Sequence, residues 1–417
     1  MIYTIQPPAS IHAKIRLPAS KSISNRILIM NALSRNKYPI ENLSDSDDTQ
    51  VLMKSLFSRQ TGNTVFDIGA AGTSMRFLTA YLAQSDGVWR ISGSERMKNR
   101  PIRILVDSLC EIGGKIEYLE KEGFPPLQIY GRKLTGGAIR LDGSVSSQYL
   151  SALMMIAPLT YRGLDIQLEG TIVSRPYIEM TGRLMEKFGI QTVWDGQRIR
   201  IEPQTYQPVL FTVENDWSAA SYWYEIVALA EKPAEVELVG LEQNSIQGDA
   251  NVAELFEAMV STDWEIHEGN KVFIRKVSTK SLLPLSPLKP LNYDFTNEPD
   301  LAQTLVVACC LLEIPFHFTG LQSLRIKETD RISALQTELK KIGYAVKTED
   351  AGMEWIGERC QPNPDPVIST YDDHRMAMAF APVCLKTGKI KISKPEVVSK
   401  SYPGFWEDLK KAGFKVD

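Results

Sequence analysis

Cations and hydroxyls gather where helices are expected to begin. In "LPASKSISNR", Lys21 and Ser22 precede the apolar run "NRILIMNALS". "GAAGTSMRFLTAYLA" opens on a Gly-rich turn followed by Thr73, Ser74 and Arg76, and "RMKNRPIRILVDSL" sets Arg96, Lys98 and Arg100 before a helix that could start at Pro101. "SVSSQYLSALMM" brings Ser146, Ser147 and Gln148, and "VSRPYIEMTGRLM" brings Ser174, Arg175 and Tyr177. Further along, "LRIKETDRISALQTEL" supplies Arg325, Lys327 and Arg331, "YDDHRMAMAFA" supplies His374 and Arg375, and "VSKSYPGFWEDL" supplies Lys400. Ser and Thr at such places are ordinary caps. Lys and Arg in a first turn oppose the helix dipole, so their recurrence calls for anions nearby. The pattern predicts a shared site for a polyanionic ligand, in a cleft between domains.

Acids are interleaved with these cations: Asp45, Asp47, Asp48, Asp300, Glu328, Asp372 and Asp373. Most read as partners of nearby Lys and Arg, while one or two, hemmed by cations and half-buried, suit proton transfer. The chain lacks GxxxxGK[ST], a strand-flanked GxGxxG and HExxH, which argues against a P-loop enzyme, a dinucleotide dehydrogenase and a zincin. Cys110, Cys309, Cys310, Cys360 and Cys384 form no ligand pattern and read as reduced thiols, with no zinc site and no disulfide framework. His12, His267 and His317 have no partner at ligand spacing and read as surface or core residues.

Certain elements must hold these groups. At 417 residues the chain is expected to form two domains. With 43% hydrophobic and 23% charged residues and a net charge of −3, bulk attraction to nucleic acid or an anionic membrane is not expected. No signal peptide and no apolar run of membrane-spanning length is read, so a cytoplasmic protein is expected.

One phrase recurs: amphipathic helix, Gly-bearing break, alternating strand. It is clear in "ILVDSLCEIGGKIEYLE", "GRLMEKFGIQTVW", "SALQTELKKIGYAVKTED" and "GFWEDLKKAGFKVD", and looser in "ELFEAMVSTDWEIHEG" and "VLMKSLFSRQTGNTVFD". Gly113, Gly189, Gly343 and Gly413 fall where a left-handed cap is expected. Six copies at roughly 55–80-residue intervals argue for a repeated α/β unit, three on each side of a switch in "PVLFTVENDWSAASYW", with a new helix at about Trp217. The strand "YTIQPP" could belong with the second half, which would make the first an insertion. "SLLPLSPLKPLNYDF" reads as a Pro-rich loop.

The segments "LPASKSISNR", "AGTSMR", "RMKNRPI", "SVSSQYLSAL", "SRPYIEMT", "IKETDRI", "DDHRMAMA" and "SKSYPGFW" run in the order seen in the 5-enolpyruvylshikimate-3-phosphate synthases, and the chain resembles that family along essentially its whole length. The resemblance implies the enolpyruvyl transferase fold: a two-domain inside-out α/β barrel with three βαβαββ-type units per domain. It places residues 1–16 with 213–417 in one discontinuous domain and 17–212 in an inserted one, with hinge crossovers near 14–20 and 208–216. It implies transfer of the enolpyruvyl group of phosphoenolpyruvate to the 5-hydroxyl of shikimate 3-phosphate, on the route to chorismate and the aromatic amino acids. No metal, organic cofactor, nucleic acid or membrane partner is implied, and a monomer is expected.

Carried over residue by residue, Lys21, Ser22 and Arg26 match the groups at the shikimate carboxylate, with Lys21 also reaching phosphoenolpyruvate. Ser146, Ser147, Ser174 and Tyr177 match the 3-phosphate cradle, and Gln148 lies between the substrates. Gly72, Arg100, Arg331, His374, Arg375 and Lys400 match the phosphoenolpyruvate clamp, while Asp300, Ser323 and Lys327 match the hold on shikimate. The catalytic expectation is Glu328 as proton donor to the methylene carbon, with Asp300 or Lys21 assisting removal of the hydroxyl proton. Three positions depart from the family: Ala70 for an Asn, Phe77 for Pro or Leu, and Ser323 for an Asn. They leave substrate affinity and response to the family inhibitor glyphosate open, and they remove no proposed proton-transfer group. Two rivals stand beside this reading: a sister enzyme acting on UDP-N-acetylglucosamine, and a non-catalytic anion-binding paralogue.

Overall fold

The computed structural model describes residues 1–35, 38–265, 270–277 and 290–417. His267 and residues 281–289 of the Pro-rich stretch lie outside the described residues. The chain divides into two compact units, Ala19–Val213 and Met1–Pro18 with Glu214–Asp417.

Each unit holds three sheets, and five of the six have four strands in one arrangement. In Ala19–Val213, Val65–Asp67 pairs in parallel with Gly87–Ser92, which pairs antiparallel with Leu127–Gly131, and that strand with Lys115–Tyr118. Gly137–Asp142, Leu164–Glu169, Arg198–Ile201 and Val193–Asp195 repeat the pattern. So do three sheets of the other unit. These are Leu291–Asp294 with Phe316–Thr319, Met353–Trp355 and Lys347–Thr348; Ile11–Arg16 with Ala234–Val239, Lys271–Lys276 and Val260–Glu265; and Val367–Ile368 with Ile390–Ser393, Ile2–Gln6 and Lys415–Val416. The parallel pair requires a crossover helix, and the antiparallel pairs close the unit with a return strand. The sixth sheet is reduced to Ile40–Glu41 beside Phe211–Thr212.

Helices form the interior and sheets the outside. All ten residues of Ala302–Leu311 and all seven of His374–Phe380 are buried, as is Trp217–Leu229 apart from Ser218. In the other unit, Gly72–Ala83 is buried apart from Thr73. A helix that is apolar all round belongs in a core. The strands by contrast alternate, as in Gly137–Asp142 and Arg198–Ile201, so each sheet turns one face to solvent.

The cap glycines Gly113, Gly189, Gly343 and Gly413 all have positive φ, between 78 and 100°, each directly after a helix end. Several sequence expectations need correcting. The first helix spans Lys21–Leu33, because Ser20 caps it, so Lys21 lies inside the first turn and not before it. Pro101 is not helical: a short helix Glu95–Lys98 intervenes, and the next begins at Arg103. Of the two looser repeat copies, "ELFEAMVSTDWEIHEG" has only Val252–Leu255 as its helix. "LNYD" at the end of the Pro-rich stretch is a strand, held by parallel pairing with Phe316–Thr319.

Candidate active site

The helices beginning at Lys21, Gly72, Arg103, Ser147, Arg175, Arg331 and His374 carry no acidic residue in their first turn. Asp47–Gln60 and Phe405–Lys411 do. The first set therefore leaves the positive helix ends uncompensated within the turn. Lys400 departs from expectation. It ends the 3₁₀ segment Pro395–Lys400 and donates to the Asp372 carbonyl at 2.6 Å, because the helix after it starts only at Phe405.

Within Ala19–Val213 the predicted residues converge. Lys21 Nζ lies 3.7 Å from Asp48 Oδ2, and Ser74 Oγ donates to the Asp48 carbonyl at 2.9 Å. Gln148 Nε2 donates to Thr73 Oγ1 at 3.3 Å, which joins the Ser147 and Gly72 helices at their starts. Arg100 is buried and its guanidinium covers Gly72: a Cβ there would lie 2.5 Å from Nη1. Ser146 caps its helix, and Ser174 precedes Arg175 in a left-handed conformation at φ 56°. Ala70 is exposed at the turn before Gly72, while Phe77 is fully buried, with Arg26 stacked 5.4 Å from its ring centre.

Arg26 is only 2% exposed and spends its donors on the protein. Nε donates to Thr181 Oγ1 at 2.7 Å, Nη1 to the Ser22 carbonyl at 2.9 Å, and Nη2 to Ser151 Oγ at 3.0 Å and the Tyr177 carbonyl at 3.3 Å. Among the described residues no carboxylate pairs with it. Burial lowers its pKa to about 10, with the Tyr177 charge acting in the opposite direction. A buried cation neutralised only by dipoles raises the local potential and favours an anion close by.

The other unit is arranged in the opposite way. Arg331, 2% exposed, is ringed by three carboxylates: Asp373 at 2.7 Å, Asp300 at 2.9 Å and Glu328 at 3.0 Å. Burial alone would lower its pKa, but Asp373, Glu328 and Asp300 together outweigh that and raise it. Asp300 also meets Arg375 Nη2 at 2.9 Å and Lys327 Nζ at 3.7 Å, so three cations share one carboxylate. His374 is buried at the first position of its helix, 3.9 Å from Asp373 Oδ1. Ser323 Oγ is buried with no hydrogen-bond partner among the described residues. No group of three or more His, Cys, Asp or Glu that could hold a metal occurs among the described residues.

The sequence reading singled out neither Ser151 and Thr181, which orient Arg26, nor Ser218 and Asp249, which lie behind Arg375. From sequence, Asp373 reads as an ordinary partner. Buried acids and hydroxyls that act through another side chain carry no local signature.

A model of the EPSP synthase (3-phosphoshikimate 1-carboxyvinyltransferase) family matches residues 5–58 and 53–409. A Bacteroides fragilis protein named 3-phosphoshikimate 1-carboxyvinyltransferase is 53% identical, covering 100% of this chain and 99% of its own. The chain belongs to the EPSP synthase family. A Vibrio vulnificus protein of the same name is 36% identical over 97% of each chain. Among solved structures, EPSP synthase from Acinetobacter baumannii matches with a TM-score of 0.76 at 21% identity, covering 100% of this chain and 99% of that one. The enolpyruvyl transferase NikO from Streptomyces tendae matches with a TM-score of 0.74 at 16% identity, covering 100% and 98%. These likenesses show the fold, the two-domain enolpyruvyl transferase architecture. Its repeated unit is the four-stranded sheet with crossover helices described above.

Proposed function

We propose that this chain is a transferase that moves the enolpyruvyl group of phosphoenolpyruvate to the 5-hydroxyl of shikimate 3-phosphate and releases phosphate. The observation that carries this reading is family membership along the whole length, with 53% identity to a relative named for the activity. The buried arginine clusters around Arg26 and Arg331 support it.

Lys21, Ser22, Arg26, Ser146, Ser147, Gln148, Ser174 and Tyr177 would hold shikimate 3-phosphate from Ala19–Val213, with Asp300, Ser323 and Lys327 completing the hold from the other unit. Gly72, Arg100, Arg331, His374, Arg375 and Lys400 would hold phosphoenolpyruvate, with Lys21 and Gln148 touching both. Motion for closure would fall where the chain passes between units, at Pro18–Ala19 and Val213–Glu214.

The reaction needs a proton at the methylene carbon while the hydroxyl oxygen attacks its neighbour, giving a tetrahedral intermediate; phosphate then leaves as a proton is removed from the new methyl group, which restores the carbon–carbon double bond. Glu328 stands at the edge of the Arg331 cluster, more exposed than Asp300 or Asp373, and suits delivery of that proton. Asp300 is the group to receive the hydroxyl proton, assisted by Lys21. Arg375 and Lys327 both neutralise Asp300, and an arriving anion competes for them; each cation drawn off makes Asp300 a better base. Fixed cations then meet the charge that develops on phosphate and carboxylate.

We place the reaction in the cytoplasm and expect a monomer without cofactor. Five free cysteines accord with a reducing compartment, and no helix of the described residues is long and apolar enough to cross a membrane. The test is phosphate release from phosphoenolpyruvate with shikimate 3-phosphate or UDP-N-acetylglucosamine offered separately. Release with shikimate 3-phosphate alone is expected. Release with the nucleotide sugar alone, or with neither acceptor, would overturn the reading.

A further inference from the structure

Behind Arg375 lies a carboxyl group that the proposed chemistry does not use. Asp249 sits on the single 3₁₀ turn Gly248–Asn251, packed against the start of Trp217–Leu229, and is 3% exposed. Ser218 Oγ donates to Asp249 Oδ2 and faces Arg375 Nη2 at 3.5 Å. The same Nη2 lies 2.9 Å from Asp300 Oδ2. Two carboxylates thus approach one guanidinium, Asp300 directly and Asp249 through a hydroxyl.

We propose that Asp249 is a positioning residue for Arg375: it competes through Ser218 with Asp300 and with the bound anion for that guanidinium, so that binding of phosphoenolpyruvate carries one proton onto Asp249. This inference rests on the reading of Arg375 as part of the phosphoenolpyruvate clamp.

The charged groups facing Asp249 are Asp300, Arg375 and Asp216. Burial raises its pKa first, followed by the Asp300 charge. Arg375 and the Ser218 hydrogen bond act downward and Asp216 upward, and the net position is about 7. The group therefore changes charge near neutral pH. When it is ionised, Ser218 must point its proton at Asp249, and Arg375 is held back by a second anion. When it is protonated, Asp249 can donate to Ser218, and Arg375 is left to Asp300 and the ligand. An anion arriving on Arg375 disfavours the ionised form, so the proton is taken from solvent on binding.

The sign is fixed. Above about pH 7 the empty protein holds Asp249 ionised, and each bound phosphoenolpyruvate must bring a proton. Its KM then rises with pH, by at most tenfold per unit, the limit for one proton. The phosphate monoester itself finishes ionising near pH 6, so a rise between pH 7.5 and 9 does not come from the ligand.

The experiment is the pH dependence of KM and kcat for phosphoenolpyruvate at saturating shikimate 3-phosphate, in wild type, Asp249→Asn and Ser218→Ala. The expected wild-type result is a several-fold rise in KM per unit above pH 7, with kcat changing less. Asp249→Asn keeps an acceptor for Ser218 but cannot ionise, and its KM should stay low and flat. Ser218→Ala removes a bond that favours the ionised form, so its inflection should move to higher pH. An Asp249→Asn protein with the wild-type slope would overturn the proposal. If that variant does not fold, an unmoved inflection in Ser218→Ala overturns it. A wild type whose KM is flat from pH 7.5 to 9 also overturns it. A wild type silent with shikimate 3-phosphate defeats instead the functional reading, and this inference with it.

Discussion

Gly72→Ala separates fold from function at one atom. Gly72 is the first residue of its helix and its φ is not positive, so alanine fits the backbone. The added Cβ would lie 2.5 Å from Arg100 Nη1, 3.0 Å from Cζ and 3.1 Å from Nη2. Ordinary carbon–nitrogen contact begins at about 3.5 Å, so the guanidinium must retreat by roughly 1 Å. A misplacement of about 1 Å in a positioning group costs up to roughly 100-fold in rate. Alanine meanwhile is a better helix former than glycine by up to about 1 kcal/mol.

The expected outcome is a protein as stable as the wild type or slightly more so, with kcat/KM for phosphoenolpyruvate reduced 10- to 100-fold, largely through KM. Thermal unfolding and a phosphate-release assay at saturating shikimate 3-phosphate read the two halves. Wild-type kcat/KM in a folded Gly72→Ala protein would refute the reasoning, since it would mean that Arg100 does not need the place it occupies.

Other substitutions test neighbouring parts of the argument. Glu328→Gln should fold normally, because Arg331 keeps Asp373 and Asp300, and should bind both substrates while kcat falls about 100-fold or more; near-normal turnover excludes the proton-donor role. Lys21→Met should impair binding of both substrates as well as rate, and a defect confined to one substrate would remove its bridging position. Thr181→Val deletes the acceptor of Arg26 Nε and should cost about 2 kcal/mol in urea unfolding, with weaker shikimate 3-phosphate binding. Glu225 is fully buried, neither oxygen has a hydrogen-bond partner among the described residues, and burial pushes its pKa well above the usual carboxylate range. A carboxyl raised in this way costs stability as pH climbs from about 4, so Glu225→Gln should unfold at a higher temperature than wild type at pH 8, with a smaller difference at pH 5. Equal shifts at both pH values would contradict a protonated Glu225.

The helix–Gly–strand phrase was legible because it is local: a cap at Gly189 or Gly413 depends on a backbone angle that glycine alone adopts cheaply, and periodicity marks the helix before it. The cations at helix starts were legible for the same reason, being set against a dipole that any helix carries. The strand at Leu291–Asp294 was missed because proline-rich flanks hide it, and only its pairing with Phe316–Thr319 makes it a strand. From sequence Lys400 reads as a helix-start residue, because its carbonyl partner, that of Asp372, lies 28 residues away and leaves no local mark. The site's supports share that difficulty. Arg26 meets Thr181 across 155 residues and Arg375 meets Ser218 across 157, and no spacing rule reaches so far.

The two units treat buried arginine in opposite ways, and the difference assigns them different work. Among the described residues Arg26 is held by hydroxyls and carbonyls alone, without a carboxylate, which suits retention of an anion that does not change during the reaction. Arg331 is held by three carboxylates, and Asp300 in turn by three cations, so small shifts of charge redistribute protons among them. A buried ion cluster of this kind contributes little net stability, because desolvation offsets attraction. Its balance is also what makes it responsive: an arriving anion that draws Arg375 or Lys327 aside leaves Asp300 with less compensation, and basicity appears at the carboxylate only when substrate is present. On the proposed roles, Arg26 would serve retention of the phosphorylated acceptor and the Arg331 cluster the proton transfers, with the base at Asp300 exposed once phosphoenolpyruvate draws Arg375 away.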